Sequence, residues 1–234
     1  MRLRNVKGAK EKIELSSYII KDYKSYKGKF NKLFNNNHPI WIEIGMGKGS
    51  FIINMAKLNP QINFIGIEKF DSVMVRAVEK LSLEKIDNLK LIKMDADKIN
   101  DVFEKEIDRI YLNFSDPWPK DRHHKRRLTD SNFLIKYDDL FKSSKNIIFK
   151  TDNRKLFEFS LKSFTDYGYK INNLSLNLHD DDIPNVETEY EIKFSDKGYP
   201  IYMVDVIKHL DSWFTQFSVN KIKNVWIVYL FVII

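Results

Sequence analysis

The chain has 234 residues, 43% of them hydrophobic and 14% aromatic, enough to bury a core, so disorder is not the default. Its 39 Lys and Arg against 32 Asp and Glu leave a net charge of +7, which favours polyanionic partners: nucleic acid, an acidic membrane surface or phosphate-rich ligands. There is no cysteine, so disulfides, cysteine nucleophiles and thiolate metal sites are excluded.

The chain opens with MRLRNVKGAKEKIEL, basic and without the apolar stretch of a secretory signal, which sets a cytoplasmic home as the expectation. Residues 1–38 read as a mobile basic arm. Apolar, β-rich runs then follow at PIWIEIG from Pro39, INFIGIE from Ile62, LKLIKMD from Leu89, IDRIYLNFS from Ile107 and KNIIFKT from Lys145. Helical patterns lie between them. One places Phe70, Val73, Met74, Ala77, Val78 and Leu81 on a single face, and another, after Asp130, does the same with Phe133, Leu134, Tyr137, Leu140 and Phe141. A third starts at a cap on Asp152 or Asn153 and ends by Gly168. Alternating strands and helices predict an α/β fold with a mostly parallel sheet covered on both faces, in one domain over residues 39–207. Two later strands, YKINNLSLNL from Tyr169 and PIYMVDVI from Pro200, show no convincing helix between them and are expected to pair antiparallel at the edge of the sheet. Residues 208–234 read as an atypical tail. Its last ten residues, Val225 to Ile234, are apolar, about half of the ~20 needed to span a bilayer. The tail is expected to be dispensable for chemistry and prone to self-association.

EIGMGKGSF follows the first strand and opens a helix. Gly45, Gly47 and Gly49 permit a tight turn and a close backbone approach, but their spacing departs from the dinucleotide pattern. Lys48 in this turn lacks the companions of a phosphate-binding loop. Four carboxylates stand at successive strand ends: Glu43, Glu68, Asp95 and Asp116. In an open α/β sheet ligands bind beyond those ends. Four converging acids would repel a pyrophosphate and suit a ligand with hydroxyls and positive charge, and S-adenosylmethionine has both. The stretch FSDPWPKDRHHKRR, from Phe114, then sets an acidic elbow, stiffened by Pro117 and Pro119, directly against five cations. Trp118 in the elbow either stacks on a base or packs the turn. His179 with Asp180, Asp181 and Asp182 reads as a solvated loop rather than a metal cluster.

EIGMGKGSF, FIGIE, YLNFSDPWPKDRHHKRR, FKTDN and TEYEIKFSDKGYPIY together resemble the bacterial tRNA (guanine-N7-)-methyltransferases, over nearly all of the chain from Met1 to about Val206. The resemblance implies a Rossmann-like fold with a seven-stranded, mostly parallel sheet and an antiparallel C-terminal strand. It implies S-adenosylmethionine as donor, with no metal, and a variable-loop guanine of tRNA as acceptor. Carried over by position, the donor-binding residues are Glu43, Gly45, Gly47, Glu68, Asp95 and Asp116. Asp116 is also the catalytic residue, and substrate contacts fall on Lys120, Asp152, Thr188, Glu189, Tyr190 and Glu191. The RNA-facing segment is Arg122, His123, His124, Lys125, Arg126 and Arg127. The expected protein is a monomer or homodimer with no membrane partner. Two other readings share the pattern: a methyltransferase for another RNA, and an inactive basic RNA-binding relative.

Overall fold

Runs of β-branched and aromatic residues form seven strands in one sheet: β1 Ile40–Ile44, β2 Asn63–Glu68, β3 Leu89–Lys93, β4 Arg109–Asn113, β5 Lys145–Thr151, β6 Lys170–Ser175 and β7 Tyr202–Lys208. The structure is a computed structural model that describes residues 6–209. The strand order is β3-β2-β1-β4-β5-β7-β6. Neighbours from β3 to β5 pair in parallel, and β7 runs antiparallel between β5 and β6. β2 is buried along its whole length, as an inner strand covered on both faces must be.

The helices are α1 Ala9–Leu15, α2 Asn31–Phe34, α3 Ser50–Leu58, α4 Asp71–Leu81, α5 Ser131–Asp138, α6 Arg154–Asp166 and α7 Glu189–Ser195. On one face of the sheet α1, α3 and α4 pack Ile13, Phe51, Ile52, Met74 and Ala77 against Phe64 and Leu91. On the other, α5 and α6 pack Phe133, Leu134, Tyr137, Phe157 and Phe164 against Ile42, Ile110, Ile147 and Phe149. Of the two candidate caps for α6, Asn153 is the one used, and Asp130 caps α5. Asp130 accepts from Asn132 N, Asn153 accepts from Leu156 N, and Gly168 closes α6 at φ 89°.

Four expectations need correction. Phe70 is not on the buried face of α4; it is the N-cap, 58% exposed, and Val75 is buried instead. The segment expected to be a mobile arm is packed from residue 6 onward: α1 lies on α4, Ile20 N donates to Leu91 O at 2.9 Å, and Phe30 is fully buried. Pairing residues 18–20 with β3 also covers an otherwise open sheet edge. A helix, α7, lies between β6 and β7 where none was expected. Finally, the domain does not stop at Ile207, because Lys208 ends β7 and donates to Tyr167 O at 2.8 Å. The apolar run Val225 to Ile234 lies outside the described residues.

Gly49 opens α3 at φ 77°, and a Cβ there would stand 2.7 Å from the Ala77 Cβ of α4. Gly49→Ala meets both a left-handed backbone and an occupied space. It should destabilise the protein by about 2–4 kcal/mol, read as a lowered urea midpoint. An unchanged midpoint would mean that α3 and α4 do not pack this closely.

Candidate functional site

The C-terminal ends of β1, β2 and β4 converge on one point. Glu43, inside β1, is 2% exposed. Its Oε1 accepts from Asn113 Nδ2 at 2.8 Å, while Oε2 is buried without a partner. Burial pushes the Glu43 carboxyl up to about 7, opposed by Asn113 and Lys150 and aided by the charge of Glu68. Glu68 ends β2. It accepts from the backbone N–H of Lys69 at 2.8 Å, Phe70 at 2.9 Å and Gly47 at 3.1 Å. Burial raises its pKa against those three donors, and the nearby Asp116 charge adds to the rise. Gly45 and Gly47, at φ 80° and 58°, turn the chain beside these acids, with open space where each Cβ would stand.

Asp95 and Asp116 depart from their expected placing at strand ends. Asp95 lies two residues beyond β3, caps the short helix Ala96–Asp101, and is paired with Lys69 Nζ at 2.5 Å, which holds its carboxyl below the usual range. Asp116 lies three residues beyond β4, on an exposed elbow. Two bulky residues of this elbow have left-handed backbones, Phe114 at φ 50° and Trp118 at φ 42°. Such a conformation costs on the order of 1–3 kcal/mol and persists only where the surroundings impose it.

After the elbow the basic run forms a short helix, Asp121–Arg126. Lys120, Arg122, Lys125 and Arg126 are exposed. Three other members of the run have partners within the protein. His123 sits edge-on to Trp118 at 5.9 Å, and His124 Nδ1 is 2.8 Å from Asp130, the cap of α5. Arg127 donates to the carbonyls of Pro117 and Trp118 and lies over Phe159. His124 and Arg127 thus have partners within the protein, with the His124 side chain 44% exposed. Trp118 packs between His123 and the Arg126 guanidinium, 4.9 Å from its ring.

The TEYE stretch is the start of α7. Thr188 and Glu191 form a capping box, each side chain bonded to the other's backbone N–H. Glu191 is fully buried and receives Lys150 Nζ at 2.6 Å and Asn185 Nδ2 at 2.6 Å. Glu191 is thus enclosed by the cap, while Thr188 is half-buried at its start. Glu189 instead reaches the glycine turn. It accepts from Ser50 Oγ at 2.8 Å, pairs with Lys48 at 3.1 Å and also with Lys80. Burial opposes its ionisation, yet these hydrogen bonds hold it down at about 2. Tyr190 stacks on Phe194 at 4.1 Å, meets Phe114 of the elbow at 5.0 Å, and donates to Asp152 at 3.4 Å. Burial, then Asp152, pushes its hydroxyl up to about 12. His179 faces Glu187 and Glu191 rather than its neighbouring aspartates, at 3.5 and 3.4 Å. Sequence reasoning passed over Lys150, Asn113 and Lys69. The first two are polar residues within apolar strands, and that misfit was the available signal.

A family model described as "Putative methyltransferase" matches residues 37–204. The chain is 52% identical over 209 residues to the tRNA (guanine-N(7)-)-methyltransferase of Bacillus subtilis (strain 168), covering 88% of this chain and 98% of that protein. It is 51% identical to the protein of that name from Lachnoclostridium phytofermentans, covering 86% and 96%. In fold it is similar to a solved antibiotic-related methyltransferase, with a TM-score of 0.60 at 16% identity over 78% of this chain and 94% of that one. It is also similar to the 16S rRNA methyltransferase KamB, at 0.57 and 11% identity over the same shares.

The raised Glu43 carboxyl carries a consequence for stability. The folded state holds this proton more tightly than the unfolded chain, whose carboxyl titrates near 4.5. Folding is thus favoured where Glu43 is protonated, and stability falls as pH rises from about 4.5 to about 7. Between pH 5 and pH 8 the wild type should lose about 2–3 kcal/mol more than Glu43→Gln in urea titrations. Equal losses in the two proteins would contradict this environment for Glu43.

Proposed function

We propose, for a chain that belongs to the bacterial tRNA (guanine-N7-)-methyltransferase family, transfer of a methyl group from S-adenosylmethionine to N7 of a variable-loop guanine of tRNA. The observation that carries this reading is a glycine turn beside the buried carboxylates Glu43 and Glu68, with Asp116 close enough for its charge to raise Glu68, next to an exposed cationic helix. The residues fit the donor. The unpartnered, buried Oε2 of Glu43 suits a positive group, and Glu68, with three backbone donors on two oxygens, retains acceptor capacity for a ribose hydroxyl. Asp95 suits the adenine edge, where it would exchange Lys69 for the base.

When bound, the donor supplies an electrophilic methyl on a sulfonium. Guanine N7 has a lone pair and no proton, so its attack needs no general base. The protein's work is orientation, worth roughly 7–11 kcal/mol in well-aligned systems, together with electrostatics. Asp116 accepts hydrogen bonds from the guanine edge and stabilises the positive charge that grows on the ring. Tyr190 and Asp152, in contact with the elbow through Phe114, face the same substrate. Lys120, Arg122, Lys125 and Arg126 meet the tRNA phosphates. Such a substrate fits a cytoplasmic home. Among the described residues no helix is long and apolar enough to cross a membrane. We assign catalysis to residues 6–209 and no catalytic role to the tail.

The test is transfer of a labelled methyl from S-adenosylmethionine to a tRNA transcript, followed by digestion and nucleoside separation. Wild type should yield 7-methylguanosine. Asp116→Ala should lower the saturated rate by roughly 10²–10³-fold while tRNA affinity and folding persist. Near-wild-type turnover by Asp116→Ala would remove this carboxylate from the mechanism.

A further inference from the structure

We propose that Arg127 is a positioning residue for the elbow that carries Asp116, and not one of the phosphate contacts of the basic run. The proposal rests on the assignment of Asp116 to the transfer step. Arg127 Nε donates to Pro117 O at 3.0 Å and its Nη2 to Trp118 O at 3.1 Å. These two carbonyls belong to the peptide planes on either side of the Trp118 Cα. Holding both planes fixes φ and ψ of Trp118, the residue whose backbone is left-handed at φ 42°. A bulky side chain does not adopt that conformation unaided. Pro117 is joined directly to Asp116, so the same fork sets the carboxylate's point of attachment.

The clamp is itself anchored. The guanidinium lies 4.3 Å from the centre of the Phe159 ring on α6. Its backbone N–H donates to His124 O at 2.9 Å, and His124 is tied to the cap of α5. Arg127 therefore spends one face on an aromatic ring and two donors on carbonyls, and it is only partly exposed. Arg122, Lys125 and Arg126 are exposed. A lysine cannot replace this arrangement, because a compact ammonium has no planar fork to hold two carbonyls and no face to stack.

The experiment compares wild type, Arg127→Lys, Arg127→Gln, Arg126→Gln, Asp116→Ala and the double variant Asp116→Ala/Arg127→Gln. Single-turnover methyl transfer is measured at saturating tRNA and donor, tRNA Kd is measured across a salt series, and hydrogen exchange is followed over residues 114–127. Both Arg127 variants should lower the saturated rate by about 10–100-fold, with tRNA Kd and its salt slope within error of wild type. Arg126→Gln should weaken tRNA binding and reduce the slope of log K against log salt by up to about 0.7–0.9. The double variant should be no slower than Asp116→Ala alone, because Arg127 acts through that carboxylate. Exchange should quicken at the elbow amides in both Arg127 variants.

Three results would overturn the proposal: an Arg127→Gln protein that behaves like Arg126→Gln, a double variant slower than Asp116→Ala by the full Arg127 factor, or unchanged exchange at the elbow. If Arg127→Gln fails to fold, Arg127→Lys, which keeps charge and most of the volume, carries the same comparisons. A wild type that methylates no tRNA would defeat the functional reading, and the exchange measurement would still decide whether the clamp exists.

Discussion

One buried ammonium, that of Lys150, joins the parts of the site that the sheet alone does not connect. It lies on β5 with its Nζ 2.6 Å from Glu191, 3.0 Å from Asn185 Oδ1 and 3.0 Å from the carbonyl of Val186, and its charge faces Glu43. Through Glu191 it fastens α7, and α7 in turn touches the glycine turn with Glu189 and the elbow with Tyr190. Through its own carbonyl it receives the N–H of Phe114, where the elbow leaves the sheet. Burial pulls the Lys150 pKa down and Glu191 pulls it back up. A pair of this kind adds little to stability relative to an apolar replacement, but losing one partner costs about 3–5 kcal/mol. Its role is registration: it brings together the donor turn, the elbow and the later helix.

Around that pair, charge is divided by distance from the sheet. Glu43 and Glu68, on β1 and β2, are buried; the Glu68 charge raises Glu43 and the Asp116 charge raises Glu68, an arrangement that a cationic ligand would relieve. The cations of the Asp121–Arg126 helix stand in solvent, where a polyanion reaches them. The elbow is the hinge of chemistry between the two, and its unfavourable backbone at Phe114 and Trp118 marks it as a place where geometry is imposed rather than preferred. A net charge of +7 thus conceals a strongly acidic centre, and position rather than the total explains how one chain meets a cationic donor and an anionic acceptor.

Most of the scaffold was legible because it follows local rules. β-branched runs became strands, Asn153 became a cap, and of the four acids expected at strand ends Glu43 and Glu68 lie on β1 and β2. What escaped depends on contacts distant in sequence. α7 is only seven residues long, and its Thr188–Glu191 capping box lies in a stretch with no helical period to announce it. Phe70 carries the helical period of α4 but falls on its N-cap, where period no longer implies burial. Arg127 and His124 share the composition of the basic run, and only folding shows that their partners are Pro117, Trp118 and Asp130. Asp95 looked like its three companions until Lys69, 26 positions earlier, closed on it. The basic beginning of the chain suggested a solvated arm, yet Ile13, Ile20 and Phe30 along it are core residues.

The central claim is that a pocket of fixed carboxylates, without a general base, directs a methyl group to a nucleophile that has no proton to lose. Methylation at guanine N7 leaves a positive ring that borohydride reduces and aniline then cleaves, so the product can be mapped along the RNA. With wild-type protein, S-adenosylmethionine and tRNA, labelled methyl incorporation should coincide with a single aniline-dependent break at a variable-loop guanine. Incorporation without cleavage would exclude guanine N7 as the acceptor, and a product on an exocyclic amine or a ribose hydroxyl, each of which must shed a proton, would contradict the base-free mechanism.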